Sequence, residues 1–463
     1  MGSRLHSYLC ITAFFFFFPA TGATAYESEK KLSLSDCISI ALEKATSAKK
    51  AEYNLKLQGA DVLRSYGNFL PKISVSAAYS PYVLNRTYTQ YNYGDIARIK
   101  TESESIDLTL TTSLNLFNGF RDFAALQSAL NRQDAARFSL SRALQSIAYD
   151  VTQSYFQVLL NRELLDIARE NLLSSKDQLT LTDRQFQIGL KSITDLNQQQ
   201  ADTAESALNV IKSETRLQRS MLELIRRLQI DPQTKISLEP APDEIKVPVS
   251  SKLDIDSLAP LALERRNDLK SRYSEANAAK WQIIQARASW LPRLDLIFSV
   301  TTGGTGFIRQ SINSGPETEY AFPPLSDQLG NSIGYSVALN LSWTLFDGFQ
   351  TRYNVEAAKI NHINQRLDYQ DLKNNILIDL RQAAGDYNAA FTEIETAKVR
   401  LKAAESAFAG IKRKYELGAA GFVELSTARA ALFNARSGLS QANFNLLLQK
   451  NIVDFTTGNL SVQ

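Results

Sequence analysis

Cysteine and histidine are scarce in this sequence, which holds two of each among its 463 residues. One of each lies in an N-terminal segment that we predict to be removed, so the mature chain keeps Cys37 and His362. One cysteine cannot form an intrachain disulfide, and a structural zinc site takes four Cys or His ligands. His362 lies in a helix-like stretch, and no nucleophile motif accompanies it. We therefore expect no metal, no cofactor and no enzymatic activity.

The apolar run at the N-terminus lacks the length of a transmembrane helix. Arg4 and His6 precede the run YLCITAFFFFFPA (8–20), and the small-residue stretch TGATA (21–25) follows it. This order is typical of a secretory signal peptide. We predict that residues 1–25 are a signal peptide and that the mature chain is exported.

Neither sign of charge dominates, and long apolar runs are absent from the rest of the chain. The sequence has 51 Lys+Arg and 48 Asp+Glu, and loss of Arg4 with the signal peptide leaves 50 against 48. This balance lacks the basic character of a nucleic-acid-binding protein, so we expect no nucleic-acid partner. No stretch after the signal peptide reaches 18 apolar residues, which excludes a helical membrane span. The exported protein should be either soluble or a β-barrel.

Four short motifs of the first half recur in the second half in the same order. ALEK and FLP, which start at 41 and 69, recur as ALER and WLP at 262 and 290, an offset of 221 (262 − 41). NLFNGF and FQIG, which start at 115 and 186, recur as TLFDGF and YELG at 344 and 415, an offset of 229 (344 − 115). A fixed order at constant offsets indicates a duplication. The 8 extra residues of the second copy (229 − 221) should lie in a loop between its second and third motifs.

Proline is absent from long parts of each copy, whereas five prolines cluster between the copies, at 232, 240, 242, 248 and 260. Such a cluster is typical of a linker. We predict a first repeat over 26–231, a linker over 232–256 and a second repeat over 257–463.

Each repeat contains two stretches in which apolar and polar residues alternate. They lie at about 72–84, 104–117, 293–303 and 333–346. Along 105–117 the apolar residues, such as Ile106, share one face and the polar residues, such as Asp107, share the other. This alternation predicts strands with one apolar face, joined by loops over 81–104 and 304–332. The strands fit either a soluble sandwich with its core on the apolar side or a transmembrane barrel with that side toward lipid.

Long stretches after the strands carry an apolar residue at every seventh position. These rows are Leu144, Val151, Val158, Leu165, Leu172, Leu179 and Phe186 in the first repeat, and Leu380, Tyr387, Ile394, Leu401, Phe408 and Tyr415 in the second. A sustained seven-residue repeat predicts coiled-coil helices. We predict long helices over about 119–188 and 349–417, second helices over about 192–229 and 421–457, and one more helix at the start of each repeat. A helix of about 70 residues spans roughly 100 Å, so the molecule should be a rod or a tube.

The motifs NLFNGF and TLFDGF mark the change from strand to helix in both repeats. Alternation ends at each motif and the seven-residue repeat follows. Gly119 and Gly348 permit the sharp backbone turn that such a change requires. We predict that these two glycines form the strand–helix junctions.

Four strands per chain are too few to close a membrane barrel. Single-chain barrels begin at eight strands, and an open sheet in lipid leaves edge N–H and C=O groups unpaired. Two copies would give eight strands with an interior filled by side chains, and three would give twelve with a lumen. Because the inner faces are polar, we expect a homotrimer with a 12-stranded β-barrel that continues as an α-helical coiled-coil barrel. The alternative is a non-conducting secreted coiled-coil structural protein. Conductance in a bilayer and dependence on detergent would distinguish the barrel from this alternative.

From about residue 32 onward the chain resembles the TolC family of outer-membrane efflux proteins. The duplicated LP and LF(N/D)GF units carry the resemblance, together with FQIGLKSITDL (186–196) and YELGAAGFVEL (415–425). It implies a duct with its β part in outer-membrane lipid and its helical part in the periplasm. Such a duct passes substrates from an inner-membrane pump of RND, ABC or MFS type, joined by a periplasmic adaptor (membrane fusion) protein, to the outside. Efflux and type I secretion are both compatible with it.

The resemblance implies a pore constriction and a docking surface near the helix tips. The two entrance carboxylates of the family fall at Glu424 and Thr427, so one ring of three Glu424 side chains should favour cations. The plainer explanation of Glu424 is that the helix dipole favours a carboxylate in the first turn. The residues that should dock the adaptor are Gly189, Leu190, Lys191, Ser192, Gly418 and Ala419.

The resemblance also implies a latch that holds the duct closed. Tyr415 takes the position of the tip tyrosine, Asp195 that of its partner on the neighbouring helix pair, and Thr194 the other linked position. The arginine expected to bond there falls at Ala420, which leaves that second contact absent or replaced. Simple packing of Tyr415 and helix capping by Asp195 are the alternative explanations.

Overall fold

The computed structural model of the protein describes residues 31–91, 95–234, 236–239 and 253–460. The predicted signal peptide and residues 240–252 of the predicted linker lie outside the described residues. The first repeat contains β1 (Lys31–Leu32), α1 (Leu34–Lys44), α2 (Thr46–Gly67), β2 (Lys72–Tyr91), β3 (Asp95–Phe117), α3 (Arg121–Gln187) and α4 (Ile193–Leu228). It is followed by β4 (Ser237–Leu238), α5 (Ile255–Arg265), α6 (Asn267–Arg287), a one-turn 3-10 helix (Ala288–Trp290), β5 (Arg293–Ile312), β6 (Thr318–Ala321), α7 (Leu325–Asn331), β7 (Gly334–Ser342), α8 (Gln350–Glu416) and α9 (Phe422–Thr456).

Two helices of 67 residues, α3 and α8, form the long axis of the molecule. α3 packs along α4 and α8 packs along α9, so each repeat contributes one long helical pair. Val158 and Leu380 of the two apolar rows have no exposed surface, as expected for the buried seam of a coiled coil. α6 lies between α3 and α8 and joins the two repeats. In the described part of the chain, no helix has the length and apolar character that a membrane crossing requires.

The largest apolar cluster surrounds the middle of α3. It includes Cys37 of α1, Tyr155 of α3, Leu224 of α4 and Phe444 of α9, so it unites both repeats. β1 and β4 pair in parallel beside it, and the Tyr155 hydroxyl donates to the carbonyl oxygen of Glu239 at 2.9 Å. Burial raises the pKa of the Cys37 thiol to about 12. This cluster fixes the two helical pairs to each other at mid-length.

The long strands form one antiparallel sheet with an uncovered apolar face. β2, β3, β5 and β7 are consecutive neighbours, and β6 pairs with the outer end of β5. On one face Val75, Val337 and Leu339 are 75, 71 and 66% exposed. An apolar patch of this kind marks an interaction surface. β2 has no strand partner on its outer side among the described residues, and neither does β7.

Both hairpins of the sheet have the same pairing register. Lys72 pairs with Ser113 in the first repeat, and Arg293 pairs with Ser342 in the second. These pairs are related by the two sequence offsets, since 72 + 221 is 293 and 113 + 229 is 342. The duplication seen in the sequence is therefore a duplication of strand register.

The prediction of loops over 81–104 and 304–332 is wrong for most of these residues. β2 continues to Tyr91 and β3 begins at Asp95, and β5 continues to Ile312. These extensions mix polar residues with apolar ones such as Ile96 and Phe307 and show no regular alternation, and ion pairs such as Lys100–Glu317 at 3.2 Å link them. The last strand is shorter than the predicted 333–346, because β7 ends at Ser342.

A short helix inserted in the second repeat protects part of the sheet edge. α7 packs on β5, and the Gln328 side-chain amide donates to the Thr305 carbonyl at 2.8 Å and accepts from the Thr305 N–H at 2.9 Å. One side chain thus replaces a strand partner in the gap between β6 and β7. A Cβ at Gly304 would lie 3.2 Å from Gln328 Cβ, so the glycine permits this approach. β6 and α7 were not predicted.

The two strand–helix junctions have the same left-handed backbone. Gly119 and Phe120 have φ of 68° and 66°, and Gly348 and Phe349 have φ of 64° and 67°. A Cβ at Gly119 would lie 2.6 Å from the carbonyl oxygen of Ala288, whereas none of the described residues lies within 4 Å of one at Gly348. The first junction therefore packs against the second repeat, and the second junction is open.

Candidate functional site

The helix tips expose the residues that were predicted to dock an adaptor. Gly189 and Gly418 have φ of 77° and 79° and end the two long helices in left-handed turns. Leu190 and Leu417 are 69% and 76% exposed, and Lys191 is partly buried. The other residues of this predicted set, Ser192 and Ala419, are exposed as well. The tips therefore present small and apolar groups to their surroundings.

Asp195 caps its own helix. Its backbone N–H donates to Ser192 Oγ at 3.1 Å, and its carboxylate accepts from the Ser192 backbone N–H at 3.1 Å and from Ser192 Oγ at 2.9 Å. This reciprocal arrangement is a capping box and stabilises the start of α4. Thr194 beside it is exposed. The alternative explanation of Asp195 as a capping residue is confirmed, and its latch role stays a prediction.

Tyr415 is buried within its own chain. It is 1% exposed and packs with Phe422 and Leu425 at the start of α9. Lys191 Nζ lies 3.9 Å from the centre of its ring, which joins the tips of the two repeats by a cation–π contact. The Tyr415 hydroxyl has no hydrogen-bond partner among the described residues. A single chain does not bring Tyr415 and Asp195 together.

Glu424 and Thr427 lie on the exposed face of α9, in its first two turns. Among the described residues, no salt bridge reaches Glu424. A carboxylate in this position is exposed to solvent and favoured by the helix dipole. Both residues are exposed in the single chain, and their place at a pore constriction stays a prediction.

The shortest ion pair between the repeats, among the described residues, involves a residue that sequence reasoning missed. Arg429 of α9 is 5% exposed, and its Nη1 donates to Asp202 Oδ2 of α4 at 2.7 Å. The same Nη1 donates to Ser175 Oγ of α3 at 3.3 Å, and Ser426 Oγ donates to Asp202 Oδ1 at 3.0 Å. Burial lowers the pKa of Arg429, and the Asp202 carboxylate opposes that effect. Loss of one partner of a buried ion pair costs about 3–5 kcal/mol, because the other charge stays desolvated.

Polar side chains extend this contact into the seam of the first helical pair. Gln199 Nε2 donates to Ser175 Oγ at 3.2 Å, and the hydroxyls of Ser175 and Thr203 lie 3.0 Å apart. Gln199 and Ser175 have no exposed surface. Two features of the sequence indicate this cluster. Thr203 interrupts the seven-residue apolar row of α4, and Arg429 lies between Leu425 and Leu432 of the corresponding row in α9.

A second buried charge cluster lies where α9 ends against the first repeat. The Arg142 guanidinium lies 3.7 Å from the ring centre of Phe455 and 3.7 Å from Asp268 Oδ2. Burial lowers the pKa of Arg142 to about 10. Burial alone would raise the pKa of Asp268, but bonds from Arg266 and the charge of Arg142 hold it below its ordinary value.

Comparison with known sequences identifies the family. The sequence pattern of the family described as "Outer membrane efflux protein" matches residues 37–228 and 258–459. The chain belongs to this family. The two matched segments coincide with the two repeats, so each repeat is one unit of the outer membrane efflux protein family.

Individual relatives and solved structures agree with this assignment. The efflux protein is 23% identical to outer membrane protein TolC of Escherichia coli over 396 residues, which is 85% of this chain and 76% of TolC. It is 25% identical to the alkaline protease secretion protein AprF of Pseudomonas aeruginosa over 360 residues, 74% of this chain and 71% of AprF. Its fold matches the outer membrane protein VceC of Vibrio cholerae with a TM-score of 0.76 and 16% identity, over 92% of this chain and 96% of VceC. This efflux protein is an outer-membrane protein with a TolC-like fold.

Proposed function

We propose that three copies of this chain form the outer-membrane exit duct of a tripartite efflux or type I secretion system. Twelve strands, four from each copy, form a barrel in the outer membrane, and the long helical pairs continue it as a periplasmic tunnel. The observation that carries the proposal is the sheet, which has an exposed apolar face and whose outermost strands, β2 and β7, have no partner on their outer edges among the described residues. In lipid those edges require partners, and further copies provide them.

The duplicated register specifies how two copies pair. Within the chain, β3 and β5 join the repeats, and Leu110 pairs with Val300. In the second repeat β7 is equivalent to β3, and in the first repeat β2 is equivalent to β5. The same contact between two copies therefore pairs β7 of one copy with β2 of the next. Leu339 is equivalent to Leu110 (110 + 229) and Tyr79 to Val300 (300 − 221), so these two residues should pair. Both residues lie on the apolar face and are 66% and 59% exposed in the single chain.

The helices support the same arrangement. α6 packs extensively on both α3 and α8, whereas among the described residues its first-repeat equivalent α2 packs extensively on α3 alone of these two helices. On α8 Tyr353, Ile360 and Leu367 form an exposed row with a spacing of seven residues, 69, 52 and 52% exposed. We propose that α2 of a neighbouring copy covers this part of α8. The open Gly348 junction would then face Gly67 (288 − 221) of that copy, as Gly119 faces Ala288 within the chain.

Cysteine crosslinking tests this assembly. In one chain positions 79 and 339 lie on strands three spacings apart, about 14 Å, which is beyond the reach of a disulfide. The double variant Tyr79→Cys/Leu339→Cys should therefore crosslink only between copies and give covalent trimers on non-reducing gels. Val75→Cys/Leu339→Cys, out of register by four residues, is the matched control. Monomers from the first pair, or equal crosslinking by both pairs, would contradict the proposed seam.

Conductance tests the duct itself. The purified protein in a planar bilayer should form ion-conducting pores, with Glu424 and Thr427 at the constriction. A coiled-coil structural protein would stay soluble without detergent and conduct no current. We propose that the duct carries out no chemistry and takes no cofactor, because substrates leave through it by diffusion.

The proposed partners are a periplasmic adaptor at the tips and an inner-membrane pump of RND, ABC or MFS type behind it. The exposed tips around Leu190 and Gly418 support the adaptor contact. A photo-crosslinking residue at Lys191 should capture an adaptor from intact cells, whereas one at Lys176, exposed on the side of α3, should not. Mass spectrometry identifies the captured protein and thereby the pump class. Equal capture from both positions would argue against docking at the tips.

A further inference from the structure

Near the tips, polar groups rather than apolar clusters join the two repeats. The apolar cluster at the tip of the second repeat, around Tyr415, Phe422 and Leu425, contains second-repeat residues alone among the described residues. The apolar cluster that unites both repeats lies farther from the tips, where Phe444 of α9 meets Tyr155 of α3. Between these two levels the contacts of α9 with the first repeat include the buried Arg429–Asp202 pair and the exposed Arg436–Glu170 pair.

Close packing is also incomplete at this level. Two open clefts of about 180 and 320 Å³ lie between the repeats, and Arg429 and Phe408 line both of them. Side chains of α3 such as Glu170 and Ser174 line their opposite walls. Along these clefts the two repeats lack the close side-chain contacts that would make one arrangement of the helices strongly preferred. The start of α9 therefore depends on directed polar bonds for its position against the first repeat.

Arg429 makes polar contacts that hold the start of α9 against the first repeat. Its guanidinium reaches from α9 into the polar seam of the first helical pair, where it contacts Asp202 of α4 and Ser175 of α3 together. Ser426, one turn earlier, adds a second bond to Asp202. Glu424 lies five residues before Arg429 on the same helix (429 − 424), so a movement that breaks these bonds displaces Glu424 as well.

We propose that Arg429 is a positioning residue for the pore constriction, and that its bond to Asp202 of the same chain holds the helical pair α8–α9 against α3–α4 in the narrow state of the duct. Release of this bond lets the second pair swing about the apolar cluster at mid-length, and the ring of Glu424 side chains widens. The inference rests on the proposed function for its consequence in the pore, but the contact itself lies within one chain. The Arg429–Asp202 bond would hold the closed state from within one chain. This chain has Ala420 where the family resemblance implies an arginine that bonds between neighbouring helix pairs.

The test is to remove the bond and measure the resting conductance of single pores. Arg429→Met keeps the length of the side chain and removes its charge, and Asp202→Asn removes the partner charge. Each should raise the ratio of open to closed time by about tenfold or more, since loss of one member of a buried pair shifts an equilibrium by that much. The double variant Arg429→Met/Asp202→Asn should open no more than the stronger single variant, because the two residues act as one unit.

Arg436→Met is the matched control, because Arg436 also bonds from α9 to α3 but is exposed. It should leave the resting conductance unchanged, since exposed pairs contribute little. Resting conductance of Arg429→Met and Asp202→Asn equal to that of the wild-type pore would overturn the inference. A wild-type protein that forms no pores would instead overturn the proposed function.

Hydrogen exchange gives a readout that does not depend on a pore. In both Arg429→Met and Asp202→Asn, amides of residues 422–435 should exchange faster, while those of 440–456 beside the apolar cluster at mid-length should keep their wild-type rates. Faster exchange along all of α9 would mean general destabilisation and would contradict a positioning role. If Arg429→Met does not fold, Asp202→Asn carries the test alone, with the same two outcomes.

Discussion

The hydroxyl oxygens of Ser139 on α3 and Ser271 on α6 lie 2.9 Å apart and join the first repeat to the second. By the offsets between the repeats, Asp368 is the equivalent of Ser139 (139 + 229) and Lys50 is the equivalent of Ser271 (271 − 221). Both of these residues are exposed in the single chain. In the trimer that we propose, the contact between two hydroxyls inside the chain would therefore correspond to a contact between opposite charges from two copies.

We predict that Lys50→Glu lowers the temperature at which the trimer dissociates. Each exposed pair contributes about 0.2–1 kcal/mol, and the substitution replaces three attractive contacts per trimer by repulsive ones. Gel electrophoresis of unboiled samples measures the dissociation temperature. Lys50→Glu/Asp368→Lys should restore it, and Lys49→Glu, exposed on the same helix, is the control. The prediction fails if the double variant is no more stable than Lys50→Glu.

We predict that Glu424→Gln weakens the cation preference of the pore. A ring of carboxylates at a constriction attracts cations, and the amide removes this charge without changing the shape of the side chain. Reversal potentials across a salt gradient should move toward zero. Glu416→Gln, an exposed carboxylate at the end of α8, should leave them unchanged. Wild-type reversal potentials in Glu424→Gln would remove Glu424 from the constriction.

We predict that Tyr415→Phe raises the resting conductance. The Tyr415 hydroxyl is buried without a hydrogen-bond partner among the described residues, so a bond to Asp195 of a neighbouring copy, as the family resemblance implies, requires that the tips rearrange when the trimer forms. Thermal unfolding of the variant should be close to that of the wild type, because removal of an unsatisfied hydroxyl costs little. Tyr353→Phe, exposed on α8, is the control. An unaltered closed state would mean that Tyr415 serves packing alone.

We predict that Asp268 contributes stability that disappears in acid. Its pKa in the folded protein lies below the ordinary value, so the contribution is present above the unfolded pKa of about 4 and is lost as the pH falls through the folded pKa. Asp268→Asn should therefore melt at a lower temperature than the wild type at neutral pH, and the difference should shrink toward about pH 2. Asp256→Asn, exposed in the first turn of α5, is the control. A difference that is constant with pH would contradict the prediction.

Local sequence patterns were sufficient to predict the long helices and the division of the chain into two repeats. The long helices predicted over 119–188 and 349–417 span Arg121–Gln187 and Gln350–Glu416, because a seven-residue apolar row specifies both a helix and its buried side. The outer halves of the hairpins could not be predicted in this way. Their apolar and polar residues do not alternate regularly, and the pairing of Lys100 with Glu317 depends on residues 217 apart in the chain.

The sequence by itself determined the two repeats, the face of each strand, the heptad seams and the glycine turns between strand and helix. All of these follow from residues that are neighbours along the chain, where spacing and backbone freedom decide the outcome. Only the tertiary structure decided that Gln328 replaces a strand partner and that Arg429 bonds to Asp202 across 227 residues. A buried polar group takes whichever partner the packing of distant helices brings within reach, and that packing is a property of the whole fold.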